Sequence, residues 1–167
     1  FVAPMATDSI RESFAGHLES AGVLARFQLT DGNAEQVMAA ADIVLLASGT
    51  ASLQAALLGK PMVAAYRVAG LTFAIVKRLN LVKVQYVTLP NLLTDTPLIP
   101  EFIQDDARPE ALASAVSELL ADPERRAAIA ARFRVLRTTL ARGANERAAD
   151  AVMAEAAADA GRSDDEP

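Results

Sequence analysis

Apolar residues along the chain form two alternating patterns: short continuous runs and positions spaced at helical intervals. The short runs predict strands, and the spaced positions predict amphipathic helices. Ile10, Phe14 and Leu18, for instance, recur every four residues after a capping pair, Asp8-Ser9. The predicted strands lie at 1–6, 24–29, 43–47, 61–66 and 84–89, and the predicted helices at 8–21, 34–40, 51–58, 71–79, 98–104, 109–121, 123–142 and 144–160.

Strands and helices that alternate over short connections predict an α/β fold with an open, mainly parallel sheet and flanking helices. Residues 43–47 are apolar on both faces, which is typical of a central strand in a parallel sheet. The last third of the chain is predicted to be helical throughout. We therefore expect one domain over residues 1–160, with helices at its C-terminal end, and a frayed acidic tail at 161–167.

The composition excludes several classes of chemistry. The 167 residues contain no Cys and one His, which excludes a disulfide scaffold, a Cys nucleophile and a multi-His metal site. That residue, His17, is predicted to lie on the surface of the first helix. The chain begins at Phe1, within an apolar run and without an initiator Met. We expect it to be a piece of a longer protein.

Charge is distributed unevenly along the chain. The net charge of −5 argues against a nucleic-acid partner. Residues 43–94, however, contain no Asp or Glu and carry only basic charges, at Lys60, Arg67, Lys77, Arg78 and Lys83. A buried core, in which acids are scarce, is one explanation. A surface that faces an anionic ligand or membrane is the other, and the motifs described next favour it.

Ser48-Gly49-Thr50 follows the predicted strand at 43–47 and precedes a predicted helix. In parallel sheets, ligands bind where strand ends meet helix N-termini. Gly49 permits close approach of a ligand to the backbone, and Ser48 or Thr50 can cap the helix. The helix N-terminus then offers N–H groups to a phosphate. A capped turn without a ligand is the alternative, because neither GxxxxGK[ST] nor GxGxxG is present.

Further polar residues are candidates for the same crevice. Gln54 lies one helical turn after Thr50, and its amide can bond a vicinal diol such as a ribose. Asn91 follows Pro90, which restricts the backbone and gives the side chain a defined direction. Glu101 and Gln104 are spaced by three residues on the predicted helix at 98–104. Each of these residues is equally compatible with an ordinary turn or surface position.

Taken together, the motifs resemble the C-terminal half of lipid-A-disaccharide synthase. The resemblance extends from about residue 2 to about residue 152, and the ordered spacing of its pieces is more specific than any single piece. The pieces are Ala47-Ser48-Gly49-Thr50-Ala51, Lys60-Pro61-Met62-Val63, Tyr66-Arg67, 74–79 with Lys77-Arg78, Tyr86-Val87, Leu89-Pro90-Asn91-Leu92 and Pro100-Glu101 with Gln104.

The resemblance implies a GT-B glycosyltransferase, built from two Rossmann-like halves with the active site between them. Such an enzyme of lipid A biosynthesis transfers 2,3-diacylglucosamine from its UDP-sugar donor to the acceptor 2,3-diacylglucosamine 1-phosphate, and no metal or other cofactor is expected. The N-terminal half, with the acceptor site and catalytic base, is absent from these residues. The chain alone is therefore expected to hold the UDP-sugar without turning it over.

The resemblance also implies positions for the donor. Ser48, Gly49 and Thr50 match the family's diphosphate segment, and Asn91 matches its Pro-Asn-Leu motif at the nucleotide-sugar site. Arg67, Glu101 and Gln104 match further motif positions in the substrate-binding region. Gln54 is a departure, because the family usually has a Glu there that contacts the ribose. A Gln can bond the same diol without the strength that a charged acceptor gives.

The segment 71–84 mixes apolar residues with Lys77, Arg78 and Lys83. A basic, apolar helix of this kind can lie against an anionic membrane surface, where diacylated substrates reside. A core-packing helix with solvated ends is the alternative. We expect a cytoplasmic location with peripheral contact on the inner face of the Gram-negative inner membrane. Two alternative functions stay open from the sequence: a GT-B enzyme resembling UDP-sugar 2-epimerase, and a non-catalytic nucleotide-binding module.

Overall fold

The computed structural model describes residues 1–47, 49–67, 86–94 and 96–163, which form an α/β structure. The strands are β1 Val2–Met5, β2 Gln28–Asp31, β3 Val44–Ala47, β4 Met62–Tyr66 and β5 Glu101–Ile103. The helices are α1 Asp8–Ser20, α2 Ala34–Ala40, α3 Thr50–Leu57, α4 Leu89–Leu92, α5 Pro109–Ala121, α6 Pro123–Leu140 and α7 Ala144–Ser163. Short 3-10 turns occupy Leu24–Arg26 and Gln104–Asp106.

All the described strand pairs are parallel, as predicted. β1 pairs with β2, and a second sheet has the order β3-β4-β5. In the second sheet Ala47 lies opposite Ala65, and Tyr66 lies opposite Ile103. The register brings the carboxyl ends of β3, β4 and β5 to one edge, which we call the carboxyl edge. Parallel sheets with flanking helices confirm the predicted fold class.

The core lies between β4, α3 and the long helix α6. Met62 and Val63 on β4 are fully buried, as is Phe133 on α6. On α3 the small residues Ala55 and Ala56 allow α6 to pack closely, and both are buried. Burying a large apolar side chain such as Phe133 contributes roughly 1.5–3 kcal/mol, so this layer fixes the position of α3 relative to the sheet.

The predicted strands at 24–29 and 43–47 differ from the observed ones. Residues 24–29 begin with a 3-10 turn, and β2 starts only at Gln28. Phe27 instead stacks on Phe1 with ring centroids 4.9 Å apart and meets Phe14 edge-on at 6.0 Å. The prediction that residues 43–47 form a central strand is also wrong for the described part of the chain. β3 is an edge strand there, and Leu45 is 56% exposed.

The predicted helix at 98–104 is wrong, because its residues form β5 and the turn that follows. Pro100 disfavours the helical conformation at Ile99, the residue before it. The carbonyl of Pro100 accepts a hydrogen bond from the amide of Ala64 at 3.0 Å, which draws the segment into the sheet. The predicted strand at 84–89 is also wrong at its end, since Leu89 begins α4.

The remaining predictions concern helix ends and segments outside the described residues. Thr7, rather than Asp8-Ser9, caps α1: its hydroxyl accepts from the amide of Ile10 at 3.3 Å. α7 continues to Ser163, so the predicted tail is helical at 161–163, and 164–167 lie outside the described residues. The predicted helix at 71–79 also lies outside them.

Candidate functional site

The carboxyl edge collects candidates from three adjacent strands. Gly49 and Thr50 follow β3, Arg67 follows β4, and Gln104 follows β5. The parallel register brings these four residues to the same edge of the sheet. Ser48, which shares the motif with Gly49 and Thr50, lies outside the described residues. The structure therefore brings together half of the eight residues that the sequence singled out.

Gly49 forms the turn between β3 and α3. Its φ of 137° and ψ of −157° fall in a region that is essentially restricted to glycine. Among the residues that the structure describes, an added Cβ would meet nothing within 4 Å, so on that side the described chain leaves the backbone open to a ligand. Gly49 itself is the N-cap residue of α3, and Thr50 is the first helical residue. The prediction that Thr50 caps this helix is therefore wrong.

Ser52 stabilises this turn, a role that the sequence analysis missed. Its side chain is completely buried, and its hydroxyl donates to the carbonyl of Gly49 at 2.6 Å. The amide of Ser52 donates to the same carbonyl at 3.1 Å. A Ser three residues after a glycine N-cap could have indicated this contact. The carbonyl of Gly49 is thus bonded to the first turn of α3 and points into the helix.

Gln54 and Arg67 are both exposed near this edge. Gln54 lies one turn along α3 from Thr50, on the same helical face, as the spacing predicted. Arg67 directly follows the buried strand β4. Lys60 has a different place: its Nζ donates to the carbonyl of Ala41 at 3.0 Å, at the end of α2. The structure describes two cations of the acid-free stretch, Lys60 and Arg67. Of these two, Arg67 lies at the carboxyl edge.

Gln104 has an unusual backbone conformation for its residue type. Its φ is 52°, in the left-handed region, immediately after β5. A non-glycine residue in this region costs on the order of 1–2 kcal/mol, and such strain is frequent at functional sites. Asp105 and Asp106 follow it and are exposed. The edge therefore carries acidic as well as basic side chains.

Asn91 lies within the protein and is only 1% exposed. Its Nδ2 donates to the carbonyl of Ile99 at 2.9 Å and to the carboxylate of Glu101 at 2.7 Å. Its Oδ1 accepts from the amides of Leu98 and Ile99 at 2.8 and 3.1 Å. The amide thus uses its two donors and two acceptor sites within the chain. The structure does not place it among the exposed candidates.

Glu101 is the second internal candidate, and it joins Asn91 to the start of α4. Its carboxylate accepts from the amides of Val87 and Thr88 at 2.7 and 3.1 Å. The hydroxyl of Thr88 donates to the same group. Thr88 is fully buried and was missed by the sequence analysis, although its position two residues before Pro90 is typical of a helix start. Glu101 and Gln104 are only three residues apart, but they lie at different places: the side chain of Glu101 is bonded to the segment before α4, whereas Gln104 follows β5 at the carboxyl edge.

An open cavity of about 300 Å³ lies elsewhere, between β5 and helices α5 and α6. It is lined by Pro100, Phe102, Ala111, Ser114, Ala115, Glu118 and Arg125. The candidates that the structure describes do not line it.

Parallel strands joined through helices, with polar side chains gathered at one carboxyl edge, define a Rossmann-like α/β domain. A family model for lipid-A-disaccharide synthetases matches residues 1–156. The chain belongs to this family, which confirms the resemblance seen in its motifs.

Curated relatives agree with the family match. A lipid-A-disaccharide synthase of Alkalilimnicola ehrlichii is 51% identical over 156 residues, which cover 93% of this chain and 40% of that protein. A synthase of Pseudomonas putida is 47% identical over 92% of this chain and 39% of its own length. One of Xanthomonas euvesicatoria is 45% identical over 89% of this chain and 34% of its own length. The chain thus spans about 40% or less of these relatives.

Within the residues that the structure describes, none of the helices combines the length and the apolarity required to cross a membrane.

Proposed function

We propose that this chain supplies the UDP-sugar-binding part of a glycosyltransferase that forms the lipid A disaccharide. The donor is UDP-2,3-diacylglucosamine, the acceptor is 2,3-diacylglucosamine 1-phosphate, and the second product is UDP. The family match over residues 1–156 supports the reaction class. The nucleotide assignment is supported by the carboxyl edge, where a glycine turn, a helix N-terminus and Arg67 lie together.

The single observation that carries the proposal is the turn at Gly49. A diphosphate that approaches the N-terminus of α3 needs accessible backbone N–H groups, and none of the described residues lies within 4 Å of the place that a Cβ at Gly49 would occupy. The helix dipole then favours the negative charge. Ser48, Gly49 and Thr50 are proposed to contact the diphosphate. Arg67, on the next strand, adds a full positive charge.

Gln54 and Gln104 are proposed to contact the sugars of the donor. Gln54 extends the exposed face of α3 by one turn beyond Thr50, which suits an amide that bonds the ribose hydroxyls. Gln104 directly follows strand β5 at the same edge. Asn91 and Glu101 were expected at the donor as well. Their internal hydrogen bonds favour an indirect role for these two residues.

Calorimetric titration of the chain with UDP tests the nucleotide site. We expect saturable binding at a stoichiometry of about one, which Thr50→Val and Arg67→Met weaken. UMP and ADP serve as matched ligands, since the first lacks the second phosphate and the second has another base. Heat that is the same for UDP and ADP would contradict a uridine-specific site. A folded chain that binds none of the three would contradict the proposed function.

The matched relatives are more than twice as long as this chain. We propose that the 167 residues bind donor without turnover and that the acceptor site and catalytic base lie in the remainder of the enzyme. Incubation of the purified chain with both acylated substrates should give no disaccharide. Disaccharide formation at a rate above the buffer control would contradict this. Once an N-terminal half is supplied, the same assay with UDP-N-acetylglucosamine would detect a 2-epimerase.

Contact with an anionic membrane is a separate proposal. It depends on Lys77, Arg78 and Lys83 in the segment 71–84, which lies outside the described residues. Vesicles with anionic phospholipid should retain the chain in co-sedimentation, and replacing the three cations with Gln should release it. Equal recovery with neutral and anionic vesicles would contradict a peripheral site. A cytoplasmic location on the inner face of the membrane belongs to the same proposal.

A further inference from the structure

The carboxylate of Glu101 accepts four hydrogen bonds from the segment 87–91. One oxygen, Oε2, accepts from the amide of Val87 at 2.7 Å. The other, Oε1, accepts from the amide and the hydroxyl of Thr88 and from Nδ2 of Asn91. A carboxylate offers about four acceptor sites and no donor, so this group is saturated by the protein itself.

The charge of Glu101 is required by this arrangement. Four donors converge on two oxygens, and a carboxylate stabilises them more strongly than a neutral amide can. A Gln at the same position would direct an NH₂ group towards N–H or O–H donors and would leave at least one of them unpaired. The identity of this residue is therefore explained without a ligand.

The hydrogen bonds of Glu101 join the start of β5 to the segment that leads into α4. Through Thr88 and Asn91 they fix the start of α4, which packs against α3, the helix that begins at Gly49. Glu101 is itself the first residue of β5, and β5 leads after three residues to Gln104. The pair of oxygens thus fixes α4 and, with it, the spacing between α3 and the end of β5.

We propose that Glu101 and Thr88 are positioning residues of the donor site: they hold α3 and the end of β5 at the separation that UDP binding requires, and they do not touch the ligand. The inference rests on the proposed function. It assigns a role to Thr88, which is buried completely and can affect a ligand only through its neighbours. Asn91 belongs to the same internal network, because its side-chain amide makes its hydrogen bonds to other groups of the chain.

Calorimetry with UDP tests the inference on the folded chain with four variants: Glu101→Gln, Thr88→Val, Thr88→Ser and Thr96→Val. Glu101→Gln should weaken UDP binding about tenfold, since small displacements at a binding site are costly. Thr88→Val, which removes only the hydroxyl, should weaken it several-fold, about half as much on a logarithmic scale. Thr88→Ser restores the hydroxyl and should bind within about twofold of the wild type. Thr96→Val is the matched control at an exposed threonine.

The variants distinguish positioning from direct contact and from stability alone. If Glu101 touched UDP, Glu101→Gln would weaken binding and the buried Thr88→Val would not. If the network served stability alone, both variants would lower the denaturation midpoint and leave the affinity of the folded chain unchanged. Either result would overturn the inference while UDP binding by the wild type upheld the proposed function. Should Glu101→Gln fail to fold, the two Thr88 variants decide the same question.

The amide signals of Val87 and Thr88 provide a second readout. Hydrogen bonds to a carboxylate move amide protons downfield, so both signals should move upfield in Glu101→Gln and stay in place in Thr96→Val. They should keep their downfield positions when UDP saturates the wild type, because the network persists in the complex. Loss of both downfield signals on UDP addition would overturn the inference. Absence of saturable UDP binding by the folded wild type would overturn the proposed function and this inference together.

Discussion

Lys60 donates from Nζ to the main-chain carbonyl of Ala41 at 3.0 Å. Ala41 is the C-cap residue of α2, where unpaired carbonyls and the helix dipole favour a positive charge. Lys60 follows α3 by a few residues and is half-buried. This cation of the acid-free stretch therefore joins α2 to the end of α3, whereas Arg67 remains exposed at the carboxyl edge.

The difference between these two cations predicts opposite results for matched substitutions. Lys60→Met should lower the free energy of unfolding by about 1 kcal/mol, because it removes a charged donor from a helix end, and should leave UDP affinity unchanged. Arg67→Met should change stability by less than about 0.5 kcal/mol, as expected of an exposed side chain, and should weaken UDP binding. Urea unfolding and calorimetry measure the two effects. Equal losses of affinity would show that net charge alone matters.

Asn91 is expected to be among the most sensitive positions for stability. Asn91→Asp would place a carboxylate against the carbonyl of Ile99 and the carboxylate of Glu101, where Nδ2 now donates. We expect a loss of about 3 kcal/mol or more, typical of a broken buried network. Asn145→Asp, at an exposed position on α7, is the control and should lie within about 0.5 kcal/mol of the wild type. Equilibrium unfolding in urea measures both. A loss below 1 kcal/mol for Asn91→Asp would contradict the observed network.

Local sequence patterns predicted the elements whose stability is local. Helices α5 and α6 begin at prolines, Pro109 and Pro123, and both starts agree with the prediction. The segment 98–104 failed because its conformation depends on distant partners. The carbonyl of Pro100 bonds to β4, and the amide of Ile99 bonds to Asn91. No pattern within seven residues encodes those contacts.

The candidate site, like the fold, was predictable only where its geometry depends on residues adjacent in the sequence. Strand, glycine turn and helix follow one another in the sequence, so the place of Gly49 could be inferred from adjacent residues. The hydroxyl of Thr88 contacts Glu101 thirteen residues away, and α4 separates them. Family motifs marked Glu101 and Asn91 as important. They could not distinguish a ligand contact from an internal hydrogen bond.

Replacing Gly49 is expected to lower both the stability of the chain and its affinity for UDP. Gly49→Ala should lower the free energy of unfolding by about 1–3 kcal/mol, because φ of 137° with ψ of −157° is costly for a residue with a Cβ. It should also weaken UDP binding, since the methyl group would project into the open side of the turn. Gly22→Ala is the matched control: φ is 68° there and the space around it is also open. It should cost about 1 kcal/mol and leave UDP affinity unchanged. Equal UDP affinity in both variants would remove Gly49 from the site.

Substitutions at Gln104 are expected to change the stability of the chain and its affinity for UDP-sugar in different ways. Gln104→Gly should keep or raise the free energy of unfolding, by up to about 1 kcal/mol, because glycine adopts a φ of 52° without strain. Gln104→Ala retains the unfavourable backbone and should be less stable than Gln104→Gly. Both variants lack the amide and should bind UDP-sugar more weakly than the wild type. Thermal unfolding and calorimetry with a UDP-sugar measure the two quantities. If Gln104→Gly binds as tightly as the wild type, the side chain has no role at the donor.

Gln54 gives the most direct test of where the ribose lies. Gln54→Glu replaces an amide with a carboxylate, and a charged acceptor makes a stronger hydrogen bond to a hydroxyl. If the ribose contacts this position, UDP should bind about fivefold more tightly, which corresponds to about 1 kcal/mol. Gln28→Glu is the control, because it makes the same charge change at the exposed amino end of β2. A general effect of negative charge would weaken binding of the anionic ligand in both variants. Tighter binding in Gln54→Glu alone would place the ribose beside α3, and an unchanged affinity would move it to another part of the carboxyl edge.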